Sequence, residues 1–212
     1  VLRVNEIFHS IQGESTHAGR PCVFVRLTGC HLRCVWCDTA YAFHEGAPMS
    51  VDAIVEQVDR FGCSLVEVTG GEPLLQPGSI DLMRALLARG HEVLLETSGS
   101  LPIGAVPEGV RRIVDVKCPG SGESGRNLWS NLDELRDGDE IKFVVADRAD
   151  YDWAREVVRD RGLDDRAPVL FSAVRETLAP GDLARWVLED RLPVRVQVQM
   201  HKVLWPDALR GV

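Results

Sequence analysis

Apolar and polar positions alternate along this 212-residue chain in two rhythms, which divide it into short strands and amphipathic helices in regular succession. In segment 23–28, Val23, Val25 and Leu27 share one face while Phe24, Arg26 and Thr28 share the other, the period of a strand. Ile54, Val55, Val58 and Phe61 recur at helical spacing behind Ser50, which is placed to cap that helix. Leu65-Val66-Glu67-Val68 reads as a buried strand. A helix over 80–89 ends at Gly90, a residue suited to the left-handed position past a helix C-terminus. Further strands are expected at 92–96, 112–116, 140–145, 168–171 and 194–198, with helices near 151–161 and 181–190.

This β-α alternation predicts a parallel sheet in a single domain over 1–212. A closed eight-unit barrel takes about 250 residues, so an α/β fold built as an open, partial (β/α) barrel of about six parallel strands is expected. Two prolines and three glycines in 99–111 make that crossover a loop. Parallel α/β folds build their sites at strand C-termini. The loop after strand 23–28, residues 69–72, residues 97–99 and Lys117 all fall there.

Twenty-four basic against 32 acidic residues give a net charge of −8, and no lysine- or arginine-rich run appears. Direct nucleic-acid contact is therefore not expected. No apolar stretch approaches the roughly 20 residues of a membrane span, and Arg3 and Glu6 interrupt the first eight residues, which do not read as a signal peptide. The six cysteines do not form a disulfide-framework pattern, and a reducing cytoplasm is the expected compartment.

Three of those cysteines carry the strongest chemical signal: Cys30, Cys34 and Cys37, spaced C-x3-C-x2-C with no fourth near by. Four thiolates would close an iron–sulfur cube; three leave one iron open to an outside ligand. A zinc site, the bland alternative, needs a fourth donor, for which Cys22, His31, Cys63 and Cys118 are candidates. The second signal is Thr69-Gly70-Gly71-Glu72-Pro73 at a strand end, where glycines let backbone approach a ligand closely and Glu72 adds a carboxylate.

Together these two motifs resemble the radical S-adenosylmethionine (SAM) superfamily. The blocks Ser10-Ile-Gln-Gly-Glu14, Cys37-Asp-Thr39, Glu96-Thr-Ser-Gly99, Asp115-Val-Lys117 and Gln199-Met-His-Lys202 are similar to those of the 7-carboxy-7-deazaguanine synthase family, over essentially the whole chain. The resemblance implies a modified radical SAM core. In it Cys30, Cys34 and Cys37 hold a [4Fe–4S] cluster, and reductive cleavage of SAM gives a 5′-deoxyadenosyl radical. It implies SAM contacts from Trp36, Cys37, Asp38, Gly71, Glu72, Ser98, Lys117 and Ser121. Trp36 reads equally well as packing over the cluster.

The implied substrate is 6-carboxy-5,6,7,8-tetrahydropterin, contacted by Gln12, Gly13, Glu14, Arg26, Thr69 and His201. Arg26 suits the substrate carboxylate, while Gln12 and Glu14 offer acceptors to the pterin N–H edge. Thr39 is associated with Mg2+ or, on the bland reading, caps the next turn. Segments 5–21 and 199–212 would bind substrate and close the pocket. A homodimer and a flavodoxin or ferredoxin electron donor are further family expectations. Two rivals remain: a glycyl-radical-enzyme activase, and a non-catalytic iron–sulfur or zinc module. Replacing any one of Cys30, Cys34 or Cys37 with Ala is expected to abolish assembly of the four-iron cube, read by iron content and electron paramagnetic resonance of the reconstituted protein.

Overall fold

The computed structural model describes residues 1–208 and 210–212. Its strands are β1 (Leu2–Ile11), β2 (Pro21–Leu27), β3 (Ala47–Met49), β4 (Leu65–Gly70), β5 (Glu92–Thr97), β6 (Val110–Asp115), β7 (Glu140–Val145), β8 (Val169–Ala173) and β9 (Arg195–Gln197). They form one open sheet in the order β3-β1-β2-β4-β5-β6-β7-β8-β9. Neighbours from β2 to β9 pair in parallel, whereas β1 runs antiparallel to both β2 and β3. The parallel array therefore extends one strand beyond the expected six, with an antiparallel border. The helices are α1 (Val51–Asp59), α2 (Gly78–Ala88), α3 (Arg148–Arg161), α4 (Pro180–Glu189) and the single-turn α5 (His201–Leu204).

Local chemistry accounts for the helix limits. The Ser50 hydroxyl accepts from the Ala53 amide at 3.2 Å to start α1, and the Asp147 carboxylate does the same for Asp150 at 2.9 Å to start α3. Gly162, at φ 56°, ends α3 in the left-handed conformation. No helix fills the β5–β6 or β6–β7 crossover. Short 3-10 turns at Pro119–Ser121, Ser124–Arg126 and Trp129–Glu134 follow β6 instead, as the glycines and prolines of that region favour.

The two faces of the sheet differ most toward the C-terminal ends of the strands. On the convex face, Val23, Val25, Val66, Val68, Val93 and Leu95 pack under Ile54, Val58, Leu82 and Leu86 of α1 and α2. A second cluster joins Ile141, Phe143, Val145 and Phe171 to Tyr151, Val158, Leu183 and Val187 of α3 and α4. On the concave face a small apolar cluster of Phe8, Phe24, Leu65, Leu94 and Ile113 gives way to polar positions, Arg26, Glu67, Thr69, Glu96, Asp115, Lys142 and Ser172. Period-two patterning puts the apolar set under helices and leaves the polar set to line an open hollow. Among the described residues no helix is long and apolar enough to cross a membrane.

Where 3-10 turns replace helices, a buried ion pair anchors the crossovers. Arg112 of β6 is fully buried and donates from Nε to Asp139 Oδ2 at 2.9 Å and from Nη2 to the Glu134 carbonyl at 2.6 Å. Asp139 also accepts from the backbone amides of Arg112 and Arg136, at 2.9 and 2.7 Å. Asp139→Ala would strand a buried guanidinium, so a loss of about 3–5 kcal/mol is expected. Thermal unfolding would show it as a midpoint lower by about 10 °C.

Candidate functional site

A cavity of about 530 Å³ occupies the concave side at the C-terminal ends of the strands. Its cysteine wall is an irregular loop leaving β2 through Gly29, whose φ of 100° suits only glycine. Backbone bonds fix this loop: Gly29 N donates to Ala42 O at 2.8 Å, Glu72 N to Gly29 O at 2.8 Å, and Val35 N to Ser121 O at 3.1 Å. Cys30, Cys34 and Cys37 all line the cavity and are free thiols. Burial pushes the Cys30 and Cys34 thiols up, so their deprotonation is coupled to metal binding.

The donor set suits a wide body with an open corner. Among the described residues, no three His, Cys, Asp or Glu side chains gather closely enough for one mononuclear ion. The candidate fourth ligands point elsewhere. His31 Nε2 bonds to the Ser100 hydroxyl at 2.9 Å, Cys63 donates to Pro21 O at 3.3 Å, and Cys22 and Cys118 lie in apolar cores. Three cysteines facing one cavity fit a [4Fe–4S] cube with one uncommitted iron, and the set does not fit a closed tetrahedral zinc site.

Trp36, Cys37, Asp38, Gly71, Ser98 and Lys117 border the same cavity. A Cβ on Gly71 would lie 2.1 Å from Gly29 O, so only glycine permits the crossing of the cysteine loop over β4. Two residues expected to touch SAM directly do not reach the cavity. Glu72 is fully buried, and its carboxylate accepts from Leu74 N (2.9 Å), Thr97 Oγ1 (2.9 Å), Ser98 N (2.7 Å) and Ser98 Oγ (2.5 Å). It clamps the end of β4 to the end of β5. Ser121, also fully buried, donates to Cys118 O at 2.6 Å and serves the cysteine loop through its carbonyl. Lys117 donates to Asp115 Oδ2 at 2.6 Å; burial opposes its charge, yet Asp115 and nearby Cys34 hold its proton more tightly than usual.

All six residues expected at the substrate end, Gln12, Gly13, Glu14, Arg26, Thr69 and His201, line this cavity. Arg26 donates from Nε to Glu6 Oε1 at 2.8 Å, and Tyr41 donates to the same oxygen at 2.9 Å. The Gln12 amide is engaged at both ends, accepting from Glu14 N at 2.9 Å and donating to Glu67. Its backbone also pairs with Arg20 and Gly19, so Gln12 organises its loop more than it offers acceptors. Met200 N donates to Gly13 O at 3.1 Å, and His201 packs against Gly13 so closely that an added Cβ would lie 3.2 Å from its amide. The C-terminal segment thus docks on the N-terminal loop. Within that segment Leu209 lies outside the described residues. Arg210 stacks over Tyr41 at 4.2 Å and pairs with both Glu45 oxygens, at 2.6 and 3.0 Å. His17 points away from the cavity, between Arg20 and Arg111.

Thr39 Oγ1 faces the cavity 3.8 Å from Cys37 Sγ. It precedes the 3-10 turn at Ala40–Phe43, but its side chain makes no capping bond.

Sequence reasoning gave no role to Glu67, Glu96 or Lys142, which complete the cavity floor. Lys142 Nζ donates to Glu14 Oε2 at 2.5 Å and to Glu96 Oε1 at 2.7 Å, and Glu96 accepts from Thr69 at 3.1 Å. Burial alone would raise the Glu96 carboxyl, but Lys142 draws it down to about 2. Burial likewise opposes the charge on Lys142, and Glu14 and Glu96 raise its affinity for a proton well above normal. The available signal was a charged side chain at an inward position of each neighbouring strand: Arg26, Glu67, Glu96, Asp115, Lys142.

Comparison with known proteins follows the same outline. Residues 24–119 match the family model of the radical SAM superfamily. An open, mostly parallel sheet with a three-cysteine wall over a polar concave floor defines a radical SAM protein, a class that works with a [4Fe–4S] cluster and SAM. The chain is 49% identical to the 7-carboxy-7-deazaguanine synthase of Koribacter versatilis, with each chain covered completely. It is 47% identical to that of Chlorobaculum tepidum, covering 100% of this chain and 97% of the relative. The chain belongs to the 7-carboxy-7-deazaguanine synthase family, a family of radical SAM lyases. Its fold is also that of QueE from Escherichia coli, with a TM-score of 0.77 at 23% identity over 93% of both chains. Streptococcus suis SuiB bound to S-adenosylmethionine shares it more distantly, with a TM-score of 0.62 at 15% identity over 85% of this chain and 51% of that one.

The floor makes a definite prediction. Glu96 has a folded-state pKa below its unfolded value of about 4.5. Its stabilisation is therefore complete above that value and lost as pH falls toward about 2. Lys142→Met leaves Glu14 and Glu96 without their cation, and a cost of about 3–5 kcal/mol at neutral pH is expected. Urea unfolding across the acid range should show this cost shrinking as pH drops; a constant deficit would mean that Lys142 does not hold Glu96 ionised.

Proposed function

We propose that this protein converts 6-carboxy-5,6,7,8-tetrahydropterin into 7-carboxy-7-deazaguanine with loss of ammonia, a step toward queuosine and related 7-deazapurines. The observation that carries the reading is a single cavity lined by the three free cysteines together with Arg26, Glu14 and His201. The names of the full-length relatives agree with it.

Cys30, Cys34 and Cys37 hold the cluster, which when bound supplies the electron that cleaves SAM. Backbone at 36–38, Gly71, Ser98 and Lys117 border the space for SAM, and Glu72 acts by holding Ser98 in place. Arg26 pairs with the substrate carboxylate. Glu6 takes its Nε, which leaves the terminal nitrogens of the guanidinium for a two-pronged contact. Glu14, oriented by Lys142, accepts from the pterin N–H edge, and Thr69 and His201 complete the contact. His201, Lys202, Pro206, Ala208 and Arg210 of the C-terminal segment border the cavity and would exclude water, which strengthens the polar contacts inside. Thr39 offers a hydroxyl, whose hydrogen-bond neighbour is Cys37 Sγ at 3.8 Å, to Mg2+, an ion that keeps several waters and takes substrate oxygens readily. A flavodoxin or ferredoxin donor, a homodimer and a cytoplasmic setting complete the reading.

Anaerobic incubation of the reconstituted protein with SAM, reductant and the pterin tests it. 7-Carboxy-7-deazaguanine should appear by mass spectrometry and ultraviolet absorption, in larger yield with Mg2+. SAM cleavage with the pterin untouched would remove the substrate assignment. Arg26→Ala should raise KM for the pterin about 10–100-fold, the worth of a charge-assisted contact, while uncoupled SAM cleavage survives. Arg26→Lys should recover only part of the loss, because an ammonium lacks the planar fork.

A further inference from the structure

The concave floor carries one more carboxyl group than its cation can pair. Glu14, Glu67 and Glu96 meet there, and Lys142 is shared by Glu14 and Glu96. Arg26, another cation near by, pairs through its Nε with Glu6 and not with Glu67. Glu67 is 3% exposed, and its hydrogen-bond partner is the side-chain amide of Gln12. A buried carboxylate with no cation is costly, and such a group keeps its proton instead.

The orientation of the Gln12 amide is fixed chemically. Glu14 N can only donate, so the oxygen of the amide faces Glu14 and its nitrogen faces Glu67. Glu67 Oε2 is therefore an acceptor, and the proton of a neutral Glu67 belongs on Oε1. Beside it lies a recess of about 10 Å³ bordered by Gln12, Glu14, Glu67, Glu96, Ile113 and Lys142.

Resting on the substrate reading above, we propose that Glu67 is a positioning residue that works as a neutral carboxylic acid. It holds Gln12, and through Gln12 the Glu14 segment that faces the substrate. The groups around it fit this role. Cys22 and Arg26 of β2, Glu96 of β5, Lys142 of β7 and Glu14 of the N-terminal loop are the titratable neighbours. Burial first, then Glu96, push the Glu67 carboxyl well above the usual range, against the pull of Lys142 and Arg26. An ionised Glu67 would repel the two carboxylates that Lys142 gathers, so its neutrality lets them share a single cation.

Glu67→Gln and Glu67→Leu separate the possibilities. Gln mimics the neutral acid, since its oxygen accepts from Gln12 and its amide donates where the acid O–H did, whereas Leu fills the space without either function. The holoenzyme with Glu67→Gln should keep kcat/KM for the pterin within about 3-fold. Glu67→Leu should raise KM about 10-fold, the worth of one hydrogen bond, with SAM cleavage unchanged. Infrared spectra at neutral pH should show a protonated-carboxyl C=O stretch in the wild type that is missing from Glu67→Gln. An identical band in both proteins, or a Glu67→Gln defect as large as that of Glu67→Leu, would overturn the proposal. If the wild type leaves the pterin unchanged, the substrate reading fails alone, because the infrared band still decides the state of Glu67; it does so equally if Glu67→Leu does not fold.

Discussion

A single ammonium group organises the interior of this site. Lys142 reaches from β7 to Glu96 on β5 and to Glu14 in the N-terminal loop, so three stretches far apart in sequence converge on one nitrogen. The pair would gain little at the surface, where water competes for both partners. On the concave face it is largely sheltered, and removal of the lysine leaves two carboxylates without their cation. That constraint explains why the neighbouring residues are what they are. Thr69 donates to Glu96, Ser172 approaches Glu14, and Glu67 is left to satisfy itself with an amide.

A division of labour between side chain and backbone runs through the rest of the site. Glu72 and Ser121 were both expected to contact SAM, yet their polar atoms turn inward and hold other segments in place. What they present toward the cavity is the position of their neighbours: Gly71, Ser98 and the cysteine loop. Gly71 has no Cβ because Gly29 O occupies that space. The cysteine loop is thus set by backbone contacts with β4 and with the turn after β6.

The convex half of the fold was legible because burial writes a period into the sequence. Val23, Val25 and Leu27, or Ile54, Val55 and Val58, announce their faces without ambiguity. β1 was harder to read, since Arg3, Asn5, Glu6 and His9 interrupt its apolar positions and a bulge between Val4 and Glu6 breaks its register. The cysteine wall was legible from spacing alone. Glu67 and Lys142 were not, because a charge inside an otherwise apolar strand looks like noise until its neighbours across the sheet are known. Arg26, Glu67, Glu96, Asp115 and Lys142 become a pattern only when the strand order places them side by side.

The two apolar clusters under the sheet, one beneath α1 and α2 and the other beneath α3 and α4, meet at Leu135. The cavity draws on residues rooted in both, from Cys30 and Arg26 on one side to Lys142 and Arg175 on the other. A ligand that binds only the folded chain adds RT ln(1 + [L]/Kd) to its stability, about 2.7 kcal/mol at a hundredfold excess over Kd. Here that energy is not deposited in one half. Cluster, cofactor and substrate together act as a rivet through two plates, and neither plate can open without giving up the whole load.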